Sequence, residues 1–201
     1  MRRLILGLAL FLGALVSTGG AQAQRAQEKA VLAGGCFWCT ESDFDKVPGV
    51  LATVSGYIAG KASTATYAQV SAGGTGHAEA VEVTYDPGKV SYQRLLDVYW
   101  RSIDPTVKDA QFCDHGDQYR SAIFVRNAAE KKLAEASKQK VAAELKKTIY
   151  TQIADATPFY PAEEYHQDFY KKNPAKYKFY RWNCGRDQRL EQIWGPKKGE
   201  G

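Results

Sequence analysis

The segment over residues 77–85 constrains the fold of this 201-residue chain more than any other stretch. Its polar and apolar residues alternate, and Asp86-Pro87-Gly88 follows as a turn. This pattern is typical of a β-strand that has one buried face. The residues expected on one face of that strand are His77, Glu79, Val81, Val83 and Tyr85.

Other short strands and several helices are predicted around this one. The further strands are expected over residues 30–33, 50–57, 121–125 and 148–154. The helices are expected over residues 36–46, 92–103, 128–147 and 161–172. Ser91 and Asn127 are the predicted N-caps of the second and third helices. Because these elements do not follow a regular βα repeat, the sequence predicts an α+β fold. We expect a single-domain, two-layer sandwich of a mixed sheet with packed helices.

The first 23 residues have the pattern of a secretory signal peptide. Arg2 and Arg3 precede an apolar run over residues 4–16, and Ala21-Gln22-Ala23 fits a cleavage site. The run is shorter than the roughly 20 residues that span a bilayer, although an uncleaved anchor is the alternative. We therefore expect an exported, periplasmic domain over residues 24–201, with its core at about 29–174 and no membrane attachment after cleavage.

Charge and cysteine content narrow the function further. The formal net charge is +5, of which the signal peptide carries two units, and both signs are spread along the rest of the chain. This distribution does not favour nucleic acid as a partner. Four cysteines in 201 residues are too few for a disulfide scaffold. They point instead to a redox or metal role.

The most informative chemistry lies where the first strand meets the first helix. Gly34 and Gly35 permit a tight turn and close backbone approach, and Cys36 then falls at the start of the helix. Unpaired N–H groups and the helix dipole favour a thiolate there, which makes Cys36 a candidate nucleophile. Phe37 and Trp38 could form a pocket for a methyl or thioether group, or could simply belong to the core.

Cys39 follows Cys36 by one helical turn and admits several interpretations. The two can form a redox pair, as in a general thiol–disulfide oxidoreductase, although the βαβ context of that class is missing. They can also form half of a zinc site, with Cys113 in an imperfect second half. A non-catalytic alternative is an exported binding module lined by the 12 tyrosines and four tryptophans.

Glu79 is the candidate acid. It shares its strand face with three apolar side chains, so burial should raise its pKa and keep it protonated. A neutral carboxylic acid can donate a hydrogen bond to an oxygen atom of a substrate. For His77, His115 and His166 we expect structural hydrogen bonding.

Several sequence blocks occur together in one order. They are Gly35-Cys36-Phe37-Trp38, Ser55-Gly56-Tyr57, Thr66-Tyr67, Gly74-Thr75-Gly76-His77-Ala78-Glu79-Ala80-Val81, Tyr85-Asp86-Pro87, Asp104-Pro105-Thr106, Asp114-His115-Gly116, Gln118-Tyr119-Arg120-Ser121, Thr157-Pro158-Phe159-Tyr160-Pro161-Ala162-Glu163 and His166-Gln167. Over residues 29–174 the chain resembles the A-type peptide-methionine sulfoxide reductases. The resemblance implies reduction of the S-epimer of methionine sulfoxide, free or in proteins.

The resemblance also assigns roles to individual residues. It implies that Cys36 attacks the sulfoxide sulfur and that Glu79 protonates or hydrogen-bonds its oxygen. Tyr67 and Tyr119 would hold that oxygen, and Asp114 would order the site. Phe37 and Trp38 would cradle the methyl group. No metal or organic cofactor is implied. The expected partners are the sulfoxide and an external, thioredoxin-like dithiol reductant that acts on a monomer.

The sequence departs from this family at the cysteine that resolves the sulfenic acid of Cys36. Many members have glycine where this chain has Cys39, and they keep resolving cysteines in a glycine-rich C-terminal tail. Here the tail over residues 175–201 is long, aromatic and basic, and we expect it to wrap the surface. The candidates are Cys184, which the sequence favours, followed by Cys39 and Cys113.

Overall fold

The computed structural model describes residues 26–196. The predicted signal peptide, residues 1–23, lies outside the described residues. Within 26–196 the chain forms eight strands: β1 (Glu28–Gly34), β2 (Val50–Ile58), β3 (Ala78–Tyr85), β4 (Ala110–Gln111), β5 (Asp114–His115), β6 (Ser121–Val125), β7 (Gln152–Asp155) and β8 (Tyr160–Pro161). It forms seven α-helices: α1 (Phe37–Phe44), α2 (Tyr67–Ser71), α3 (Tyr92–Arg101), α4 (Ala128–Leu145), α5 (Phe169–Lys172), α6 (Pro174–Asn183) and α7 (Arg186–Trp194).

Six of the strands form one mixed sheet in the order β7-β6-β1-β3-β2-β8. Neighbouring strands are antiparallel except for the parallel pair β6 and β7. The strands β4 and β5 form a separate two-stranded sheet. The predicted α+β class and mixed sheet are confirmed, and β3 occupies a central position in the sheet.

Helices cover one face of the sheet. The helices α1, α3 and α4 contact its strands, and the largest apolar cluster lies between these two layers. The caps of two helices are the expected ones, because Ser91 Oγ accepts from Arg94 N–H and Asn127 Oδ1 accepts from Glu130 N–H. A smaller apolar cluster on the other face is covered by the segment that contains Ala156 and Phe159.

The helix predicted over residues 161–172 is wrong. Pro161 instead belongs to β8 and pairs with Gly56. Farther along, the Gln167 side chain accepts from Ser55 N–H at 2.8 Å and donates to Ser55 O at 2.9 Å. The Gln167 side chain therefore pairs the Ser55 N–H and C=O groups at the edge of β2, where a further strand would otherwise pair them. Of the predicted helix, a 3₁₀ turn over Glu164–His166 and the last turn, α5, form.

The sequence predicts a C-terminal tail that wraps the surface, and the structure differs from this prediction. The tail folds into α6 and α7, which turn at Gly185 with a φ of 62°. Tyr177, Arg186 and Leu190 are buried, so both helices dock on the domain. Pro174 begins α6 at a position where the missing N–H has no cost. Among residues 26–196, no helix combines the length and apolar character that crossing a bilayer requires.

Candidate active site

The turn between β1 and α1 presents Cys36. Gly35 has a φ of 79°, and a Cβ added there would lie 2.5 Å from Gln111 Cβ. Glycine is therefore required both for the backbone conformation and for the contact with the β4 strand. Cys36 is the residue before α1 and is 6% exposed.

The electrostatics of the two free thiols differ from the sequence prediction. Burial raises the pKa of Cys36 well above its usual value, and its interaction with Cys39 and the charge of Asp114 add to this. The expected preference for a Cys36 thiolate at the helix start is therefore outweighed by desolvation. The pKa of Cys39 is lowered to about 7 by its interaction with the Cys36 thiol and by the charges of Arg186 and Arg181.

Glu79 lies on β3 and faces the start of α1. The residue is 2% exposed, and Oε2 accepts a hydrogen bond from the Phe37 N–H at 3.1 Å. Burial raises the pKa of Glu79 to about 8, and the charge of Asp114 contributes. The acid is therefore protonated at neutral pH and holds a proton beside the buried Cys36.

Tyr67, Tyr119 and Asp114 converge on the same place from three separate segments. Tyr67 begins α2, Asp114 lies on β5, and Tyr119 ends a 3₁₀ turn over Asp117–Tyr119. Burial raises the pKa of both tyrosines, and the charge of Asp114 adds to this in each case. Both tyrosines are therefore neutral hydrogen-bond donors around Cys36.

Aromatic rings form one wall of the site. Trp38 stacks on Phe169 with 3.7 Å between the ring centroids, and its Nε1–H donates to His166 Nδ1 at 3.0 Å. Phe37 is buried, and its ring centroid lies 5.0 Å from that of His166. The structural role expected for His166 is confirmed: it fixes the orientation of Trp38.

Sequence reasoning missed several residues that support the site. Glu163 accepts from the Tyr57 hydroxyl at 2.9 Å and from the Tyr67 N–H at 2.8 Å, so it holds the start of α2. Tyr180 and Arg186 come from the C-terminal helices. Arg186 is buried and donates to Gly34 O at 3.3 Å and Ser102 O at 2.7 Å. Only Glu163 belonged to a recognised sequence block.

The four cysteines fall into two pairs. Cys113 and Cys184 form a disulfide with a Cα–Cα distance of 4.9 Å, whereas Cys36 and Cys39 are free and buried. The zinc hypothesis joined Cys36 and Cys39 to Cys113. Among the described residues, the only cluster with metal-ligand spacing is Cys113, Asp114 and Cys184, and it contains neither free thiol. The cluster's two sulfurs are bonded to each other.

Comparisons with known proteins agree with this geometry. A model of the family described as peptide methionine sulfoxide reductase matches residues 28–198. The chain belongs to this family. It is 50% identical over 196 residues to the peptide methionine sulfoxide reductase MsrA 2 of Caulobacter vibrioides, which covers 97% of this chain and 100% of that protein.

Solved structures of the reductase family have the same fold. Reduced Mxr1 of Saccharomyces cerevisiae is 34% identical with a TM-score of 0.71, covering 74% of this chain and 87% of that one. The yeast protein in complex with Trx2 is 26% identical with a TM-score of 0.52, covering 71% and 84%. The chain is a peptide-methionine (S)-S-oxide reductase that reduces methionine sulfoxide by thiol chemistry.

Proposed function

We propose that Cys36 and Glu79 carry out the first step of sulfoxide reduction in this reductase. The Cys36 sulfur attacks the sulfoxide sulfur, while the Glu79 carboxylic acid donates its proton to the sulfoxide oxygen. The oxygen is transferred to Cys36, which leaves methionine and a Cys36 sulfenic acid, and the proton that the Cys36 thiol loses in the attack restores the Glu79 carboxylic acid. The observation that carries this assignment is the Phe37 N–H···Oε2 bond, which holds a protonated Glu79 beside the cysteine.

The aromatic and hydroxyl groups bind the substrate. The Tyr67 and Tyr119 hydroxyls donate hydrogen bonds to the sulfoxide oxygen. Both can do so because burial raises their pKa and each therefore keeps its proton. Phe37 and Trp38 contact the methyl group. Trp38 is suited to this because Phe169 and His166 hold its ring in one orientation.

Cys39 is the proposed resolving cysteine. The sequence favours Cys184, but Cys184 is bonded to Cys113 and could react with Cys36 only after that bond opens. Cys39 is free, interacts with the Cys36 thiol, and has a pKa of about 7. Its thiolate attacks the sulfenic sulfur, which releases water and forms a Cys36–Cys39 disulfide.

The Cys36–Cys39 disulfide is then reduced by an external dithiol protein of the thioredoxin type. One dithiol becomes a disulfide for each sulfoxide reduced, so electrons balance without a metal or organic cofactor. The complex of the related yeast enzyme with Trx2 supports a partner of this kind.

The residue 1–23 pattern supports export, so we propose that the enzyme repairs methionine sulfoxide in the periplasm. Fractionation followed by N-terminal sequencing tests this, since a mature chain that begins near Gln24 is expected. Incubation with the separated S and R epimers and dithiothreitol tests the reaction. Methionine should form from the S epimer alone, and formation from neither epimer would contradict the proposed function.

A further inference from the structure

Helix α6 brings a third tyrosine hydroxyl to the active site. The Tyr180 hydroxyl donates to Asp114 Oδ2 at 2.5 Å. Its ring meets Trp38 edge to face, with 5.6 Å between centroids and 78° between planes. Tyr180 therefore contacts two groups of the site, Asp114 and Trp38, while belonging to the segment that the sequence assigned to the tail.

A covalent bond parallels the Tyr180 hydrogen bond. Cys184 follows Tyr180 by one helical turn at the end of α6, and Cys113 directly precedes Asp114. The Cys113–Cys184 disulfide therefore joins the same two segments that the Tyr180–Asp114 bond joins. A second cross-link one turn away limits how far α6 can move from the site.

We propose that Tyr180 is a positioning residue of the sulfoxide-reduction step, acting through Asp114 and Trp38, and that the Cys113–Cys184 disulfide holds it in place. This inference rests on the proposed function. A neutral tyrosine that donates to Asp114 favours the ionised carboxylate and fixes its orientation. Burial raises the pKa of Glu79 most, and the negative charge of Asp114 raises it further, so both favour the protonated acid. The Tyr180 ring packs against Trp38 in the edge-to-face contact and so helps to hold the Trp38 ring in place.

The first test is Tyr180→Phe in single-turnover assays without reductant, which leave the disulfide intact. Loss of the hydroxyl should slow methionine formation about tenfold, the scale of one hydrogen bond to a charged group, with unchanged half-saturating sulfoxide concentration. Tyr180→Leu also removes the ring and should raise that concentration. A wild-type rate for Tyr180→Phe would overturn the proposal.

The matched control is Tyr170→Phe. The Tyr170 hydroxyl donates to Asp45 Oδ2 at 2.7 Å, so this variant also removes a tyrosine–aspartate hydrogen bond, but away from Cys36. It should form methionine at the wild-type rate. An equal loss of rate in Tyr170→Phe and Tyr180→Phe would show a general effect of packing and would overturn the positioning role.

A double-variant cycle tests the route through Asp114. If Tyr180 acts on the rate through this carboxylate, Tyr180→Phe/Asp114→Asn should be no slower than Asp114→Asn alone. If the rate losses of the two single variants multiply in the double variant, Tyr180 does not act through Asp114.

The disulfide is tested with Cys113→Ser/Cys184→Ser. Since neither sulfur attacks the sulfoxide, a loss of single-turnover rate must come from the released helix. The loss should match that of Tyr180→Phe, and adding Tyr180→Phe should cause no further loss. A wild-type rate in the serine variant would overturn the holding role of the disulfide. These outcomes all require methionine formation by the wild-type enzyme, so they are distinct from failure of the proposed function.

Discussion

The Phe37 N–H donates to Glu79 Oε2 across 3.1 Å and so joins the residue after Cys36 to the buried Glu79 carboxyl group. This bond crosses from the first turn of α1 to the central strand β3. It therefore holds the Glu79 carboxyl group, the proposed proton donor, against the main chain next to Cys36, the proposed nucleophile. Because the N–H is one of the unpaired donors of a helix start, the fold supplies it without a dedicated side chain.

The first prediction concerns the pH dependence of the acid. Glu79 acts in the proposed mechanism only when protonated, and its pKa is about 8, so its expected contribution is complete below pH 7 and falls as pH rises through 8. Glu79→Gln should slow single-turnover methionine formation by about 10²–10⁴ at pH 7. The ratio of wild-type to variant rates should decline about tenfold per pH unit above 8.

The matched control for Glu79 is Glu82→Gln on the same strand. Glu82 is partly exposed and pairs with Lys29 at 2.6 Å, outside the site. This variant should keep the wild-type rate and pH profile. A pH-independent ratio of wild type to Glu79→Gln would remove Glu79 from the proton-transfer step.

The second prediction separates the two free thiols. Cys36→Ser should form no methionine, whereas Cys39→Ser should form one equivalent and then stop, because its sulfenic acid has no partner thiol. Peptide mapping of the wild-type enzyme after one turnover should find Cys36 bonded to Cys39 and Cys113 still bonded to Cys184. A Cys36–Cys184 or Cys36–Cys113 bond would refute the role of Cys39.

The third prediction concerns Gly35. Alanine at this position would be strained by the positive φ and would also crowd Gln111, so Gly35→Ala should lower the free energy of unfolding by ~1–3 kcal/mol. Gly74 also has a positive φ, of 75°, but a Cβ there would meet nothing within 4 Å. Gly74→Ala is therefore the control for the strain of a positive φ alone. Denaturant unfolding should show a smaller loss of unfolding free energy in Gly74→Ala than in Gly35→Ala.

Local patterns predicted the centre of the fold well. The strand β6 has the predicted bounds, and the Ser91 cap forms as expected, because both depend on residues close in sequence. The alternation in β3 likewise placed Glu79 on the face that packs against α1. These features follow from side-chain periodicity and turn chemistry, which are visible within about ten residues.

The C-terminal half of the site could not be predicted in the same way. Gln167 completes the edge of β2 from 112 positions away, which replaces the helix that Pro161 suggested. Tyr180 meets Asp114 across 66 positions, and Arg186 meets Gly34 across 152. No local pattern encodes such contacts. The sequence therefore predicts a surface tail where the structure places aromatic and basic residues that complete the site.

The last prediction concerns Arg186, whose charge acts on Cys39, the proposed resolving cysteine. Its guanidinium donates to Gly34 O and Ser102 O and lies 4.4 Å from the Phe112 ring centroid. Arg186→Met removes both donors from buried carbonyl groups, so the free energy of unfolding should fall by ~1–3 kcal/mol. Arg101→Met, which breaks an exposed pair with Glu144 and the contact of the guanidinium with the Trp194 ring, should cost less, about 1 kcal/mol.

The kinetic effect of Arg186→Met separates its charge from its packing. The Arg186 charge helps to lower the pKa of Cys39 to about 7, so its removal should raise that pKa and leave less Cys39 thiolate at pH 7. Disulfide formation after the first turnover should slow at pH 7 and recover as the pH approaches 9, while Arg101→Met keeps the wild-type profile. Rapid quenching followed by thiol alkylation measures this rate. A slow step that persists unchanged at pH 9 would show that Arg186 acts on Cys39 through structure alone, because at that pH the thiolate no longer depends on the lost charge.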